Sequence, residues 1–478
     1  MGKFYITTTL PYVNAEPHVG FAMEIVRADV LARMHRTLGD EVFFNTGTDE
    51  HGQKIYQMAA EAGQEPKVYC DENAAKFGLL KTGLNLSYDN FIRTTDEHHI
   101  KAAQEFWKLC EARGDIYKKT YKVKYCVGCE LEKTDSELVE GKCPLHPTQE
   151  LQSIEEENYF FRFSNYQQKL LDLYQAQPDF VIPDFRQNEI KIFVEGGLQD
   201  FSISRLKAKM PWGVEVPEDP TQIMYVWFDA LINYISCLGW PSFAEAPAGK
   251  PDLFKEFWPG VQVCGKDNLR QQTAMWQAML MSAGLPTSKQ ILVGGFLTSG
   301  GQKISKSLGN TINPLEWAEK YGTDALRYFL LAEVSVFEDS DVTKERFEEA
   351  YQANLANGIG NLAARVATMA EKIGLKVPEQ RMEIRQEVVD KLKVFRFDEA
   401  LKFIWEEVKR ADTLINQREV WKLVGEEQEF VLADLVKIIR QIAVDLAPFM
   451  PTTSEKLMVQ FGGEVIKRGG NLFQRIEK

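Results

Sequence analysis

Apolar and polar positions follow two different periods within the first fifty residues. Residues 4–10 are β-rich and stop at Pro11. A turn-like stretch, Asn14-Ala15-Glu16-Pro17, leads into His18-Val19-Gly20-Phe21. Met23, Val26, Val30, Leu31, Met34 and Leu38 then fall at helical spacing, with Gly39 as the stop. Residues 41–45 read as the next strand, which ends at Gly47-Thr48-Asp49-Glu50-His51-Gly52. Strand, loop, helix and strand in this order predict the first βαβ unit of a parallel sheet. Ligands bind at the carboxyl ends of such strands, so residues 11–20 and 49–52 should share one rim.

Residues 115–205 break this rhythm and read as an insertion between two sheet halves. The sheet pattern should resume near 222–225 and at 261–267. A further strand at 291–293 runs towards a lysine-bearing loop. Beyond about Phe337 the pattern is helical almost to the end, with a long helix expected from about Thr343. The expected fold is α/β: a Rossmann-like parallel-sheet domain in two halves, 1–114 and 206–336, split by the insertion at 115–205. An all-α helical bundle should occupy 337–478.

Composition narrows the class. A length of 478 residues suits two or three domains, and 44% apolar with 26% charged residues is ordinary for a soluble globular chain. No window approaches a membrane span, and the polar first residues do not resemble a signal peptide, so a cytoplasmic location is expected. The net charge of −13 argues against bulk attraction to polyanions. It leaves a nucleic-acid partner open, because local basic patches decide such binding.

Three of the seven cysteines are clustered with a histidine as Cys126-x₂-Cys129-x₁₃-Cys143-x₂-His146. Two short-spaced pairs suit a tetrahedral zinc knuckle, with Gly128 and Gly141 easing the turns. Four protein ligands leave no open position, so the Zn²⁺ should be structural, one per chain. Cys70, Cys110, Cys237 and Cys264 are scattered and read as buried thiols.

The lysine loop is Lys303-Ile304-Ser305-Lys306-Ser307, flanked by Gly300, Gly301 and Gly309. Two cations among glycines and serines suit a clamp on a polyphosphate, although a solvated surface loop has the same composition. His18 and Gly20 stand at a strand-to-helix turn, where a helix N-terminus favours anions. Each signal alone is weak or moderate; together, and in this order, they are specific.

Here the chain resembles class I aminoacyl-tRNA synthetases, whose "HIGH" and "KMSKS" signatures match His18-Val19-Gly20-Phe21 and Lys303-Ile304-Ser305-Lys306-Ser307. It is similar in particular to the methionyl-tRNA synthetase family. The further matching blocks are Leu10-Pro11-Tyr12, 47–52, 225–230, Gly265-Lys266-Asp267, Asn354-Leu355-Ala356-Asn357 and 447–451. The resemblance implies activation of methionine by ATP, then transfer to tRNA(Met), with Mg²⁺ accompanying ATP. Its implied catalytic residues are His18, Lys303 and Lys306. ATP would be held by these three with Gly20, Glu24, Gly265 and Asp267, although a solvated helix carboxylate is the ordinary reading of Glu24. Methionine would meet Leu10, Tyr12, Asp49, Trp227, Ala230 and Tyr234. Asp49 offers a carboxylate for the ammonium group, and the aromatic residues offer edges for the thioether. Trp227, Ala230 and Tyr234 have spacings that fit one helical face. Arg205 resembles a family arginine near the active site; a surface salt bridge is its alternative.

Asn357, Asn361 and Arg365 recur every four residues, which places them on one stripe of the long helix. Trp421 lies on a later segment. In the family, matching residues read the anticodon, so the resemblance implies an anticodon-binding role for the helical region. Three departures stand out. Phe21 replaces the final histidine of the first signature, Gly294 replaces a histidine expected to line the methionine pocket, and Val420 replaces a proline. The alternatives are a class I synthetase for another small apolar or sulfur amino acid, and a catalytically weak tRNA-binding homologue. The insertion is too short for a separate editing domain, and a monomer is expected.

Overall fold

Strand β1 (Lys3–Thr8) sends Phe4 and Ile6 into one apolar core and Tyr5 into another, as the two-residue strand period requires. These two cores cover the two faces of the main sheet. The computed structural model describes residues 2–133, 137–241, 252–304 and 310–476; for Tyr121, Val123, Glu132, Ile154 and Lys303 it describes the backbone alone. Lys306 lies outside the described residues.

The helix Val19–Thr37 follows β1, and Gly39 ends it with φ +86°, a conformation that glycine adopts without strain. The chain then returns through β2 (Glu41–Thr48), parallel to β1 with Thr7 opposite Asn45, and β3 (Asn90–Arg93), parallel to β2. Next come β4 (Ile116–Cys126), β5 (Leu131–Lys133) and β6 (Gln152–Phe161), which form an antiparallel sheet with β8 (Phe201–Ser202). Between β6 and β8, the short β7 (Val181–Ile182) leaves this group and joins the edge of the main sheet. The stretch 115–205 is therefore not a wholly separate insertion, since it supplies one strand of the parallel sheet.

A second correction concerns residues 222–225. They end β11 (Asp219–Met224), which pairs antiparallel with β9 (Ser204–Leu206) and β10 (Glu215–Val216), and does not enter the main sheet. The reason is local. Pro217 and Glu218, the latter at φ +63°, make a tight turn that folds β10 directly onto β11. The main sheet resumes with β12 (Val261–Gly265) and β13 (Gln290–Gly294), as the pattern predicts.

The main sheet has the order β3-β2-β1-β12-β13-β7, and every pairing is parallel. Its winding reverses between β1 and β12, where the crevice of a doubly wound sheet opens. Past β13, the small strands β14 (Leu297–Ser299), β15 (Gln302–Lys303) and β16 (Ser340–Asp341) form a separate three-stranded sheet.

The helical region shares the core under the helix Val19–Thr37. Arg327, fully buried, fastens the two parts together. It donates to the carbonyls of Leu84, Pro448 and Phe449 and pairs with Asp29 of that helix at 2.8 Å. No described helix is long and apolar enough to cross a membrane.

The single long helix expected from Thr343 is instead broken. Thr343 caps the helix Lys344–Ala350, a widened π-type stretch spans Tyr351–Gly360, and a new helix runs Asn361–Lys372. The break centres on Gly358, with φ −86° and ψ −109°, between Asn357 and Asn361. A spacing of four therefore does not align Asn357 with Asn361 and Arg365 on one straight stripe.

Candidate active site

A cavity of about 440 Å³ opens at the carboxyl ends of β1 and β12. His18 guards its rim as the N-cap of the helix Val19–Thr37, and its Nδ1 accepts from the Gly20 N–H at 3.1 Å. A Cβ on residue 20 would sit 2.9 Å from the His18 ring, so the cap requires glycine. Desolvation lowers the His18 pKa, so near pH 7 the ring is neutral, with Nε2–H left as a donor. Phe21, at the departure from the signature, lies edge-on to Phe77 with ring centres 5.7 Å apart, as part of the core.

Every residue assigned to ATP or methionine whose side chain is described lines this cavity. The backbone of Lys303 pairs with Thr298, and the adjoining Ile304 lines the cavity. Glu24 is not simply solvated: its carboxylate accepts from the N–H of Thr9 at 2.8 Å and from the Thr9 hydroxyl. Burial lifts its pKa to about 8. Gly265 and Asp267 sit at the end of β12 on the same rim.

Asp49 is 3% exposed and anchored by backbone bonds to Pro11 and Val13. Burial first, and the nearby charge of Asp229 next, push its pKa far above the usual carboxylate range. A cationic group would relieve both effects. Beside it, the short helices Val226–Ala230 and Asn233–Ser236 present Trp227, Ala230 and Tyr234 to the cavity, as one helical face would. The Tyr234 hydroxyl accepts from Gln272 Nε2 at 2.6 Å. Tyr12 Oη, Trp227 Nε1 and Gln271 Oε1 are buried here and have no hydrogen-bond partner among the described residues. Such atoms are rare in a finished interior and fit a cavity shaped for a ligand.

The sequence reading missed Arg27, Gln271 and Gln272, all of which line the cavity. Arg27 matters because of Gly294: a Cβ there would lie 3.2 Å from Arg27 Nη1. The guanidinium is buried, donates to the carbonyls of Ser335 and Val336, and fills the space beside Gly294. One charged residue among Ile25, Val26 and Ala28 on a buried helix was the available signal. Arg205 lies outside this cavity. It is buried between the rings of Tyr125 and Tyr225, 5.1 and 4.8 Å away, so it is not a surface salt bridge.

The cysteine cluster closes one wall of the cavity through Cys129 and His146. Sulfurs of Cys126 and Cys143 lie 3.4 Å from that of Cys129, and His146 Nδ1 lies 3.3 Å from it. All four donor atoms fall within 4.8 Å of one another. An ideal tetrahedron with Zn–S bonds of about 2.3 Å has S–S edges of about 3.8 Å, so the set fits zinc with small adjustment. Gly128 permits this closure, because a Cβ there would meet the His146 ring at 2.5 Å.

In the helical region, Trp421 is 50% exposed, and the Arg365 guanidinium lies 5.7 Å from its ring centre. Arg365 is held by Asp412 at 2.7 Å and Asn416 at 2.8 Å. Arg365 and Trp421 share a shallow cleft with Ala364, Thr368 and Met369. Asn357 is exposed and Asn361 half-buried, and neither lines that cleft.

A doubly wound parallel sheet with a histidine-capped helix at its switch point defines a nucleotide-binding fold of the class I synthetase type. The family model described as "tRNA synthetases class I (M)" matches residues 4–155 and 146–367. The chain is 41% identical over 479 residues to the methionine–tRNA ligase of Thermotoga maritima, which covers 95% of this chain and 74% of that one. It is 41% identical over 483 residues to the methionine–tRNA ligase of Thermosynechococcus vestitus, covering 96% and 90%. The Mycobacterium tuberculosis methionyl-tRNA synthetase solved with methionyl-adenylate superposes with a TM-score of 0.90 at 35% identity, over 99% of this chain and 100% of that one. The chain belongs to the methionine–tRNA ligase family.

Proposed function

We propose that this chain activates L-methionine with ATP to methionyl-adenylate and pyrophosphate, then passes methionine to the 3′ end of tRNA(Met). The observation that carries the reading is Asp49: a buried carboxyl held far above its usual pKa, beside Trp227 and Tyr234 and in the same cavity as His18. Asp49 pairs with the substrate ammonium, and Tyr12, Trp227, Ala230 and Tyr234 enclose the thioether, with backbone groups of Leu10 beside them. Glu24 and Asp267 face the ribose. The His18 Nε2–H donates to the phosphates near the reacting centre, while Lys303 and Lys306 close on the β/γ side. Adenylate formation is an in-line displacement, so the protein positions the reactants and stabilises charge rather than supplying a nucleophile. Mg²⁺ held by the nucleotide's phosphates would neutralise part of the same charge.

The test is amino-acid-dependent ATP–pyrophosphate exchange with methionine, homocysteine and leucine. Methionine should support exchange at least about 10-fold better than leucine, the scale on which a close pocket separates similar side chains. Equal signals with all three would overturn the reading. Any editing of homocysteine would occur in this same cavity.

Cys126, Cys129, Cys143 and His146 are proposed to hold one structural Zn²⁺, which stiffens the knuckle. Glu130, next to Cys129, accepts from the Lys54 N–H at 2.8 Å and from the Tyr125 hydroxyl. The knuckle is thereby tied to the helix Gln53–Glu61 that follows Asp49. Elemental analysis should find about one zinc per chain. Chelation should make residues 126–146 sensitive to protease and raise the KM for methionine; a zinc-free protein with full activity would refute the assignment.

Residues 337–478 are proposed to bind the anticodon, through Trp421 and Arg365 first and Asn357 and Asn361 at their flank. An exposed indole beside a guanidinium is a stacking platform for an unpaired base. Trp421→Ala should lower kcat/KM for tRNA charging roughly 5- to 150-fold, the equivalent of about 1–3 kcal/mol of stacking. Pyrophosphate exchange should stay within a factor of two or three; loss of both activities would mark a structural tryptophan. A cytoplasmic monomer, organised as residues 1–114, 115–205, 206–336 and 337–478, completes the proposal.

A further inference from the structure

Behind the cavity wall lies a buried chain of hydrogen bonds that no step above uses. His51 Nδ1 is 2.6 Å from Asp229 Oδ2, His99 Nε2 is 2.9 Å from Asp229 Oδ1, and His99 Nδ1 is 2.8 Å from Ser236 Oγ. All four residues are at most 4% exposed. Each comes from a different element. His51 follows Asp49 by two residues, and Asp229 lies between Trp227 and Ala230. Ser236 follows Tyr234 by two, while His99 stands on the helix Glu97–Ala112. The far edge of His51 packs against Trp212, with ring centres 5.5 Å apart.

Burial alone would raise the Asp229 pKa, but the His51 and His99 donors outweigh it and hold it down to about 2. The carboxylate therefore accepts from both rings. On the other side of its ring, His99 Nδ1 shares a hydrogen bond with the Ser236 hydroxyl. Two imidazoles and one carboxylate thus lock three elements together at the pocket's back wall.

We propose that Asp229, His51 and His99 form a positioning brace that fixes the ammonium acceptor Asp49 against the wall made by Trp227, Ala230 and Tyr234. The brace rests on the reading of this cavity as the methionine site. It touches no substrate and acts by setting the separation of two substrate contacts. Asp229 also faces Asp49 with a negative charge, alongside Glu130 of the knuckle and Glu50, which is itself paired with Arg93 at 2.6 Å. Tyr12 faces it from the β1 side and stays protonated. Asp49 is therefore flanked by acidic groups, opposed by the His51 backbone N–H, and a bound cation would offset them further.

Three variants test the brace in ATP–pyrophosphate exchange. His51→Leu removes one donor and should raise the KM for methionine about 10-fold, with the KM for ATP within about 2-fold. His51→Asn places an amide N–H near the position of Nδ1 and should restore the methionine KM to within about 3-fold of the unaltered chain. Asp229→Asn removes the charge while keeping the shape. The sign follows from linkage: Asp49 must ionise to pair with ammonium, and Asp229 raises its pKa. Without that charge, the acid limb of kcat/KM for methionine moves to lower pH. Equal impairment in His51→Leu and His51→Asn, parallel rises in both KM values, or an unmoved acid limb in Asp229→Asn would each overturn the brace. If the unaltered chain shows no methionine-dependent exchange, the substrate reading fails first, and the two failures are thereby distinguished.

Discussion

Asp49→Asn is expected to lower kcat/KM for methionine by at least about 10²-fold, since breaking a buried charge pair leaves a loss of about 3–5 kcal/mol. The loss should fall on methionine and spare the KM for ATP. The substitution also carries a stability signature of opposite sign. In the ligand-free chain, burial and Asp229 raise the Asp49 pKa far above its unfolded value. The fold therefore favours the protonated carboxyl. As pH rises from the unfolded pKa of about 3.9 towards the folded pKa, the unfolded state ionises freely and the native state resists, so Asp49 destabilises the fold over that window. A neutral asparagine removes this cost. The Asp49→Asn protein should melt at or above the Tm of the unaltered chain at pH 7, while binding methionine poorly. A variant that lost stability and activity together would show that Asp49 is a structural acid. Such an exchange of stability for activity is expected where a site keeps a buried acid ready to ionise against its ligand.

Lys303→Ala should slow adenylate formation about 10²–10³-fold, the scale for removing one transition-state donor, with the KM for methionine changed only a few-fold. The backbone argues for the placement: β15 ends at Lys303, opposite Thr298, and the next residue lines the cavity that contains His18. Phe21 sharpens the expectation. Its ring is packed on Phe77 in the core, so position 21 presents no imidazole at the start of this helix. On the proposed mechanism, charge that a second histidine would meet is expected to fall on His18 and the lysine loop. Single-turnover adenylate formation is the direct measurement; an equal loss in methionine binding and in rate would remove the transition-state role.

Much of the site was legible before the fold, and for a definite reason. Asp49, Gly265 and Asp267 stand at or just past strand ends, His18 and Gly20 begin the helix that follows β1, and these ends of a parallel sheet converge on one rim. The candidate metal ligands Cys126, Cys129, Cys143 and His146 were legible because short spacing brings donors together locally. Gly294 was visible as a departure, but its consequence was not. Only the structure shows that Arg27, remote in sequence, occupies the adjoining space. Trp421 shows the complementary case: its type suggested stacking, yet its 50% exposure and the Arg365 contact depend on packing between helices.

Two of the three fold-level corrections have a common origin. Periodicity reports which residues seek a core, but not which partner they find there. Residues 222–225 look like any buried strand, and a two-residue turn decided their pairing in favour of a local hairpin. Asn357, Asn361 and Arg365 keep a helical spacing, but Gly358 has no side chain to oppose a break between them. By itself, the sequence determined the parallel sheet, the knuckle and the identity of the groups at the rim, because those follow from local periods and from strand ends. Tertiary structure alone decided that β7 crosses from the insertion into the main sheet. It alone placed Arg27 beside Gly294, and it alone joined His51, Asp229 and His99 across up to 178 residues of chain. Contacts of that range are set by how whole elements pack, and no local pattern encodes them.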